Sequence, residues 1–337
     1  MRENCRRPRA GPSGKLLRPV RRREEEAKLA QGKQITIAEG ITVKELSEKL
    51  GIKASLVIRK LVDMKTFATI NQTLDVKLAG RRGEGFLLNV NVLGEAILSD
   101  READERLRLI RERIARPDVD YISLKTSAVV ANLDVLAFDH SVDLICERLR
   151  VLYRDAEQAN PKVFVNLDME EFRDLPLTIT ALMRVLDEPE FAGVHAGIVL
   201  QAYLPDSHAA CEQLCTWAAA RHERAAATLK IRVVKGANLA MERVEAELHG
   251  LTQAPYATKA EVDASFKRLV ETVLDPRWAH AVRLGFASQN LFDLAWALEL
   301  PDRDRVDIEM LEGMASPQAR AVRREAGEVL LYAPVVR

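Results

Sequence analysis

The run Arg232-Val-Val-Lys235-Gly236-Ala237-Asn238 holds the most chemically suggestive residue types in the sequence. Arg232 lies within an apolar segment, where an unpaired charge is costly to bury, so it requires either a buried partner or an anionic ligand. Gly236 has no side chain and therefore allows a ligand to approach the backbone closely. No GxGxxG motif accompanies these residues, so the run is only weak evidence for a phosphate site.

Two other strand-like segments carry charged residues. Asp168 and Glu170 are two residues apart, so on a strand their carboxylates point to the same face. This spacing is equally consistent with a site for an amine, a cationic partner or a metal ion and with ordinary ion pairs to a neighbouring strand. Lys125 is consistent with a carboxylate receptor or a Schiff-base lysine, and a structural ion pair is slightly favoured.

The cysteines and histidines suggest neither a disulfide scaffold nor a metal site. Cys211 and Cys215 are one helical turn apart among Ala and Leu, which favours reduced core thiols. The six His residues show no metal-ligand spacing, so we predict no metal. No apolar stretch approaches 18 residues, and no apolar segment follows the basic start as in a secretory signal. We therefore expect a cytoplasmic protein.

Apolar runs alternate with amphipathic helical segments through most of the chain. Eight runs are strand-like, and they lie at Asn89–Glu95, Tyr121–Ser127, Lys162–Glu170, Ala196–Tyr203, Leu229–Asn238, His280–Ser288, Arg305–Gly313 and Glu328–Val336. Helices with cap residues are predicted between them, one opening at the capping box Ser99–Glu102 and one at Ser316-Pro317, closed by Gly327. Eight strand–helix units predict a (β/α)8 TIM-type barrel, and a doubly wound open sheet is the alternative.

Polar side chains collect at the carboxyl ends of the predicted strands, which favours the barrel because those ends converge on one rim. The residues are Glu95, Lys125, Asp168, Glu170, Gln201, Arg232, Lys235, Ser288, Gln289, Glu309, Glu312 and Tyr332. An active site is therefore expected at this rim.

The overall charge balance of 50 basic and 50 acidic residues conceals an uneven distribution. Residues 1–34 carry a net charge of +7 and have no aromatic residue, so we predict a disordered basic arm, either a solvated tail or a binder of phosphate backbones. Residues 35–80 predict a small helical domain. Its first helix begins at the capping box Thr42–Glu45 and ends at Gly51. A second helix and a strand at Phe67–Ile70 follow.

Residues 35–78, "ITVKELSEKLGIKASLVIRKLVDMKTFATINQTLD", resemble the amino-terminal domain of bacterial translation initiation factor two. The resemblance implies a ribosome- or RNA-associated module. No GxxxxGK[ST] phosphate loop is present, so the GTPase machinery of that factor is not implied.

Residues 86–337 resemble the proline dehydrogenase family, most closely the barrel of the bifunctional proline-utilisation flavoenzymes. Seven motifs occur in family order: "NVLGEAILSD", "ISLKTSAV", "VFVNLDMEEF", "GIVLQAYLPD", "LKIRVVKGAN", "FASQNLFDLAWAL" and "LLYAPVV". The resemblance implies an FAD-dependent barrel over residues 84–337 that oxidises L-proline to 1-pyrroline-5-carboxylate. It also implies electron transfer to a membrane quinone, with peripheral association at the inner membrane face.

The resemblance also implies roles for individual residues. Those implied for the reaction are Arg232 beside the flavin, Lys125 towards the substrate carboxylate, Asp168 as an electrostatic anchor and Tyr332 shaping the proline pocket. Those implied for holding the flavin are Gln201, Arg232, Val234, Lys235, Gly236, Ala237, Ser288, Gln289 and Asn290. Glu95 and Glu170 would support the substrate site.

The sequence departs from the family pattern at three places. Gln289 stands where the family usually has His, and Asn238 replaces an aromatic residue common in some members. The family has a final helix after the eighth strand, whose Arg–Arg pair grips the proline carboxylate and pairs with Glu95, whereas this sequence ends at Arg337. We therefore expect impaired activity, and the alternatives are an RNA- or ribosome-binding module in residues 1–80 or a non-functional fusion.

Overall fold

The computed structural model describes residues 42–63, 76–92, 97–169 and 171–335. Contacts divide the chain into two compact units, one that includes residues up to Leu61 and one that includes everything from Lys77 onward. Several predicted features lie outside the described residues, namely the arm at 1–34, the strand at Phe67–Ile70 and the side chains of Glu95 and Glu170.

The first unit contains helix α1 (Val43–Leu50), and helix α2 (Ala54–Asp63) begins in it. The Thr42 hydroxyl accepts a hydrogen bond from the Glu45 N–H at 3.2 Å, and the Glu45 carboxylate accepts one from the Thr42 N–H at 2.9 Å. Gly51 ends α1 with φ +66°, a conformation that glycine adopts without steric cost. The predicted capping box and C-cap are therefore confirmed.

The second unit is a closed barrel of eight parallel strands in the order β1 to β8, and β8 pairs with β1. The strands are β1 (Leu87–Val92), β2 (Tyr121–Lys125), β3 (Phe164–Asp168), β4 (Ala196–Gln201), β5 (Leu229–Val234), β6 (Val282–Ala287), β7 (Val306–Leu311) and β8 (Leu330–Val335). The predicted TIM-type barrel is confirmed, and the open sheet is wrong.

A helix precedes the barrel and at least one helix joins each pair of successive strands. The helices are α3 (Val76–Gly83), α4 (Asp100–Ile114), α5 (Phe138–Gln158), α6 (Asp174–Leu186), α7 (Ser207–Ala225), α8 (Leu239–His249), α9 (Lys259–Val273), α10 (Leu291–Leu298) and α11 (Ser316–Ala326). The connection from β5 to β6 contains both α8 and α9, so it differs from the single helix that the alternation predicts.

Alternation of side chains along the strands separates an apolar outer layer from a polar barrel interior. In β2, Ile122 and Leu124 are fully buried in the hydrophobic core, whereas the Ser123 hydroxyl accepts hydrogen bonds from Asn89 at 2.8 Å and Asn166 at 3.2 Å. The interior of such barrels is usually filled by branched apolar side chains. Here it contains amides and charged groups, which require mutual pairing to offset their lost hydration.

Most predicted strands end earlier than their apolar runs suggest. Thr126–Ala128 form a 3-10 turn directly after β2, and β5 ends two residues before Gly236, whose φ is +123°. The predicted cap at Ser316 is displaced by one residue, because Ala315 is the N-cap of α11. Ser99 caps α4 as predicted by accepting a hydrogen bond from the Glu102 N–H at 3.3 Å.

Candidate active site

A pocket of about 700 Å³ opens at the carboxyl ends of the strands. Its wall is formed by the last residues of the strands and by the loops that follow β5 and β6. The lining residues are Lys125, Asp168, Met169, Val199, Gln201, Arg232, Val234, Lys235, Gly236, Ala237, Asn238, Lys259, Ala287, Ser288, Gln289, Asn290, Glu309, Met310, Leu311 and Tyr332.

The pocket brings together all twelve described residues that the sequence predicts for the site. They come from five strands and from the two loops, so no single motif could have defined the pocket. The remaining two, Glu95 and Glu170, lie outside the described residues. The chemical roles of all fourteen stay predictions.

Arg232 is held in the barrel interior by charged groups from two other strands. Its NH1 donates to Asp168 Oδ1 at 3.5 Å, and its Nε lies 2.8 Å from Glu309 Oε2. Its guanidinium also lies 4.5 Å above the centre of the Tyr332 ring. Burial opposes the guanidinium charge, but the Glu309 and Asp168 carboxylates outweigh it and raise the pKa of Arg232. The sequence predicts that Arg232 has either a buried partner or an anionic ligand, and the structure shows two buried partners, Asp168 and Glu309.

Glu309, predicted only as a polar residue of the rim, pairs in the barrel interior with Lys230, for which the sequence predicts no place in the site. Glu309 is 0% exposed, and its Oε1 lies 2.6 Å from Lys230 Nζ. Lys230 also lies 3.0 Å from Asp307 Oδ2. Burial alone would lower the pKa of Lys230, but the neighbouring anionic groups, led by Glu309, raise it. Charged residues alternating with apolar ones in β5 and β7 were the available signal for this pairing.

Asp168 connects Arg232 to the hydroxyl of Tyr332. The Tyr332 hydroxyl donates to Asp168 Oδ2 at 2.7 Å and also contacts the Asn91 amide. Asn166 donates to the other carboxylate oxygen at 2.9 Å. Burial and the Asp168 carboxylate raise the pKa of Tyr332, so its hydroxyl remains a hydrogen-bond donor at neutral pH.

Lys235 is fixed at the pocket wall by two carboxylates. Its Nζ lies 2.6 Å from Asp263 Oδ1 on α9 and 2.7 Å from Asp293 Oδ2 on α10. Burial opposes its charge, but these two carboxylates raise the pKa of Lys235. Lys235 therefore contributes a protonated amine that already has two anionic partners.

Gly236 is required by its own backbone and by a protein side chain. Its φ of +123° is one that other residues rarely adopt, and a Cβ at this position would lie 2.5 Å from the Tyr203 ring. The absence of a side chain at Gly236 therefore makes room for the Tyr203 ring, whereas the sequence suggested only that it makes room for a ligand.

Ser288, Gln289 and Asn290 form the turn that leads into α10. The Ser288 hydroxyl donates to Asp293 at 3.0 Å, and Asn290 caps the helix by accepting from the Phe292 N–H at 2.9 Å. Gln289 Nε2 donates to the Leu311 carbonyl at 3.2 Å, whereas its Oε1 is buried without a hydrogen-bond partner among the described residues. That oxygen is available to a donor on a bound molecule.

An eight-stranded parallel barrel with a charged pocket at the carboxyl ends of its strands has the architecture that barrel enzymes share. The family model for proline dehydrogenase matches residues 75–337. The chain therefore belongs to the proline dehydrogenase family.

Similar proteins fall into two groups. The structure of Proline Utilization A (PutA) from Corynebacterium freiburgense has a TM-score of 0.73 and 42% identity, and the match covers 95% of this chain and 32% of that one. The Bifunctional protein PutA of Escherichia coli (strain K12) is 27% identical over 323 residues, 87% of this chain and 24% of its own length. Translation initiation factor IF-2 of Solibacter usitatus (strain Ellin6076) is 48% identical over 100 residues, 29% of this chain and 10% of its own length. Both predicted resemblances are confirmed, and the chain spans at most about a third of the length of these relatives.

Two features are absent from the part of the chain that the structure describes. No group of three or more His, Cys, Asp or Glu residues in this part of the chain is arranged to hold a metal ion. None of the helices in the same part is both long and apolar enough to span a membrane.

Proposed function

We propose that this chain catalyses FAD-dependent oxidation of L-proline to 1-pyrroline-5-carboxylate. The observation that carries the proposal is that one pocket contains all twelve described residues that the family resemblance assigns to flavin and substrate. The match of the family model to residues 75–337 supports the same reaction class.

The residues of the pocket fit FAD. Its volume of about 700 Å³ lies within the range of cofactor sites. Gln289 Oε1, which has no hydrogen-bond partner among the described residues, suits an N–H or O–H donor of the ligand. Val234 and Leu311 offer apolar surface for a ring system, and the N-terminus of α10 beside Ser288 suits a phosphate.

Oxidation of proline to the cyclic imine removes a hydride from the ring carbon beside nitrogen and a proton from the nitrogen. When bound, FAD would accept that hydride. Arg232 supplies a fixed positive charge where negative charge arrives. The Asp168 carboxylate would complement the positive charge that develops on the neutral substrate amine as the hydride leaves, before the N–H proton passes to water at the mouth of the pocket. Lys125 would attract the substrate carboxylate. Tyr332, held by Asp168, shapes the side of the pocket nearest β8.

The electron acceptor that we propose is a quinone, met at a membrane surface through peripheral association. The quinone is the acceptor that the family resemblance implies. The pocket opens at the rim of the barrel, where a reduced cofactor would be accessible to a second substrate.

Turnover by the purified full chain tests the proposal. The chain is reconstituted with FAD and given L-proline and a water-soluble quinone, and the product is trapped with o-aminobenzaldehyde. Arg232→Met should lower kcat by about 10²-fold or more, because a charge that stabilises the developing negative charge is lost. Arg184→Met, which removes an exposed ion pair with Asp143, is the control and should retain wild-type kcat. A wild-type chain that binds FAD and yields no product would overturn the proposal.

A second candidate function is RNA or ribosome binding through residues 1–80. It is favoured by the 48% identity to an initiation factor and by the basic composition of residues 1–34. Retention of the full chain on immobilised ribosomal RNA should fall steeply between about 50 and 200 mM salt, because counterion release drives such binding. Equal retention at both salt concentrations would contradict this candidate.

A further inference from the structure

Glu309 is a buried carboxylate that pairs with two cations of one other strand. It lies on β7 and is 0% exposed, while Lys230 and Arg232 both lie on β5. Its Oε1 is 2.6 Å from Lys230 Nζ and its Oε2 is 2.8 Å from Arg232 Nε. These contacts are ion pairs by distance, and among the described residues neither Glu309 oxygen nor Arg232 Nε has a partner in hydrogen-bond geometry. The intervening strand is β6, so these ion pairs cross over β6 inside the barrel.

Gly285 on β6 makes that crossing sterically possible. It is in register with Arg232 on one side and with Asp307 on the other. A Cβ at position 285 would lie 2.6 Å from Glu309 Oε1, 2.9 Å from Lys230 Cε and 3.1 Å from Arg232 Cα. Three adjacent strands therefore contribute residue types that suit the same cluster.

Arg232 contacts Glu309 on one side and the pocket residues Asp168 and Tyr332 on the others. Asp168 accepts from NH1, Tyr332 lies under the guanidinium plane, and Glu309 pairs with Nε. We propose that Glu309 is a positioning residue that holds the Arg232 guanidinium in its reactive orientation, with Lys230 and Gly285 holding Glu309 in turn. This inference rests on the proposed function, in which Arg232 lies beside the flavin.

The two carboxylates beside Lys230 provide a matched comparison. Asp307 lies 3.0 Å from Lys230 Nζ and also pairs with Arg283. It is a partner of Lys230 like Glu309, but it lies at the amino-terminal side of the barrel and does not line the pocket of Arg232. Loss of Asp307 and loss of Glu309 therefore both remove a carboxylate from Lys230, and only loss of Glu309 releases Arg232 Nε.

Three variants of the full chain separate positioning from simple stability. Glu309→Gln keeps the side-chain shape but removes the carboxylate that Lys230 and Arg232 share. The double variant Lys230→Met/Glu309→Gln removes one cation as well, so the charge of the barrel interior stays balanced. Asp307→Asn is the control. In the FAD-reconstituted enzyme, kcat should fall about 10²-fold in the double variant, because a displaced catalytic group costs this much. It should stay within about twofold in Asp307→Asn, and the Kd for FAD should change less than about threefold in both.

A second measurement reports on Arg232 without cofactor or turnover. In uniformly ¹⁵N-labelled protein, the Arg232 Nε–H signal, assigned by its loss in Arg232→Lys, should be narrow and slow to exchange with water. In the double variant the Arg232 Nε–H signal should be lost, because its proton exchanges rapidly with water. In Asp307→Asn the signal should persist. A persisting signal in the double variant, or a kcat no lower than that of Asp307→Asn, would overturn the inference. If the wild-type chain does not oxidise proline, the proposed function fails while the ¹⁵N signal still decides whether Glu309 positions Arg232.

Discussion

Charged side chains in the barrel interior form a continuous series of ion pairs from its amino-terminal side to the pocket. In order along the series they are Arg283, Asp307, Lys230, Glu309, Arg232 and Asp168. The series alternates in sign and contains equal numbers of cations and anions. Lys230, Glu309, Arg232 and Asp168 are buried, so each offsets the desolvation of its neighbours and removal of one leaves an uncompensated charge. Arg283 and Asp307, at the amino-terminal side, are partly exposed.

Replacement of Gly285 tests whether this series requires the open space on β6. In Gly285→Ala the new Cβ would overlap Glu309 Oε1 and Lys230 Cε. We expect a loss of about 1–3 kcal/mol in the free energy of unfolding, the range for overpacking a core. Urea denaturation measures the change.

Gly193→Ala is the control for the Gly285 variant. A Cβ at Gly193 would contact nothing within 4 Å, and its φ is not in the left-handed region. Its free energy of unfolding should therefore equal that of the wild type or exceed it by up to about 1 kcal/mol, because alanine reduces the entropy of the unfolded chain. Equal stability of Gly285→Ala and wild type would show that the interior ion pairs can shift without cost.

The pH dependence of stability should depend on Asp307. Burial opposes its charge, but Lys230 and Arg283 outweigh it and lower the pKa of the Asp307 carboxyl. An acid with a lowered folded-state pKa stabilises the fold above its unfolded pKa of about 4 and loses this contribution as the pH falls through the folded value. Asp307→Asn should therefore be less stable than wild type at pH 7, with a difference that shrinks below about pH 4. Urea denaturation at a series of pH values checks this, and a difference independent of pH would contradict it.

Individual residues differ in how far their roles could be predicted from sequence. Arg232 was predicted because a charge within an apolar run demands an explanation. Glu309 was recognised only as a polar residue near a strand end, because its partners Lys230 and Arg232 are some 80 residues earlier in the chain. Pairing across an intervening strand depends on barrel closure and register, which local composition does not contain.

At the scale of elements, two buried arginines fasten helix ends to the strands that follow. Arg221 on α7 donates to the carbonyls of Leu186 at 3.2 Å, Phe191 at 2.9 Å and Val194 at 2.6 Å, beyond the end of α6. Arg305 donates in the same way to carbonyls at the end of α9 and the start of β6. The carbonyls of Leu186, Val273 and Leu274 lie at the carboxyl ends of helices, where a helix leaves such groups unsatisfied. The others lie between α6 and β4 or at the start of β6.

Loss of the Arg221 guanidinium should weaken the packing of α6 and α7 on the barrel. Arg221→Met keeps much of the side-chain volume but leaves buried carbonyls without donors, so we expect a loss of roughly 2–3 kcal/mol in the free energy of unfolding. Arg154→Met, which removes an exposed ion pair with Glu190, is the control and should lose less than about 1 kcal/mol. Chemical denaturation compares them, and equal losses would contradict a capping role for Arg221.

The number and order of the strands followed from the sequence, whereas the strand ends and the second helix between β5 and β6 did not. Apolar runs and cap residues are local signals, so all eight strands were predicted at overlapping positions. The predicted strand Leu229–Asn238 extends four residues beyond β5, because the chain leaves the strand after Val234, with Gly236 at φ +123°, and lines the pocket. The loop that lines the pocket therefore obscured the end of the strand.

At the scale of the whole molecule, the chain joins segments that resemble two unrelated families. All residues that line the pocket belong to the unit that includes Lys77 onward. We therefore expect that deletion of residues 1–61 leaves the Kd for FAD and the kcat for proline within about twofold of the full chain. Flavin titration and the turnover assay measure both, and loss of flavin binding on deletion would show that the two parts depend on each other.

Anaerobic reduction tests whether this barrel transfers a hydride from L-proline to a bound flavin. The full chain reconstituted with FAD should be yellow, and addition of L-proline without oxygen or quinone should bleach the visible absorbance of the bound flavin. Re-addition of a quinone should restore the colour. Retention of the oxidised flavin spectrum in the presence of excess L-proline would contradict the account, because it would show a barrel that holds the cofactor but does not transfer a hydride from this substrate.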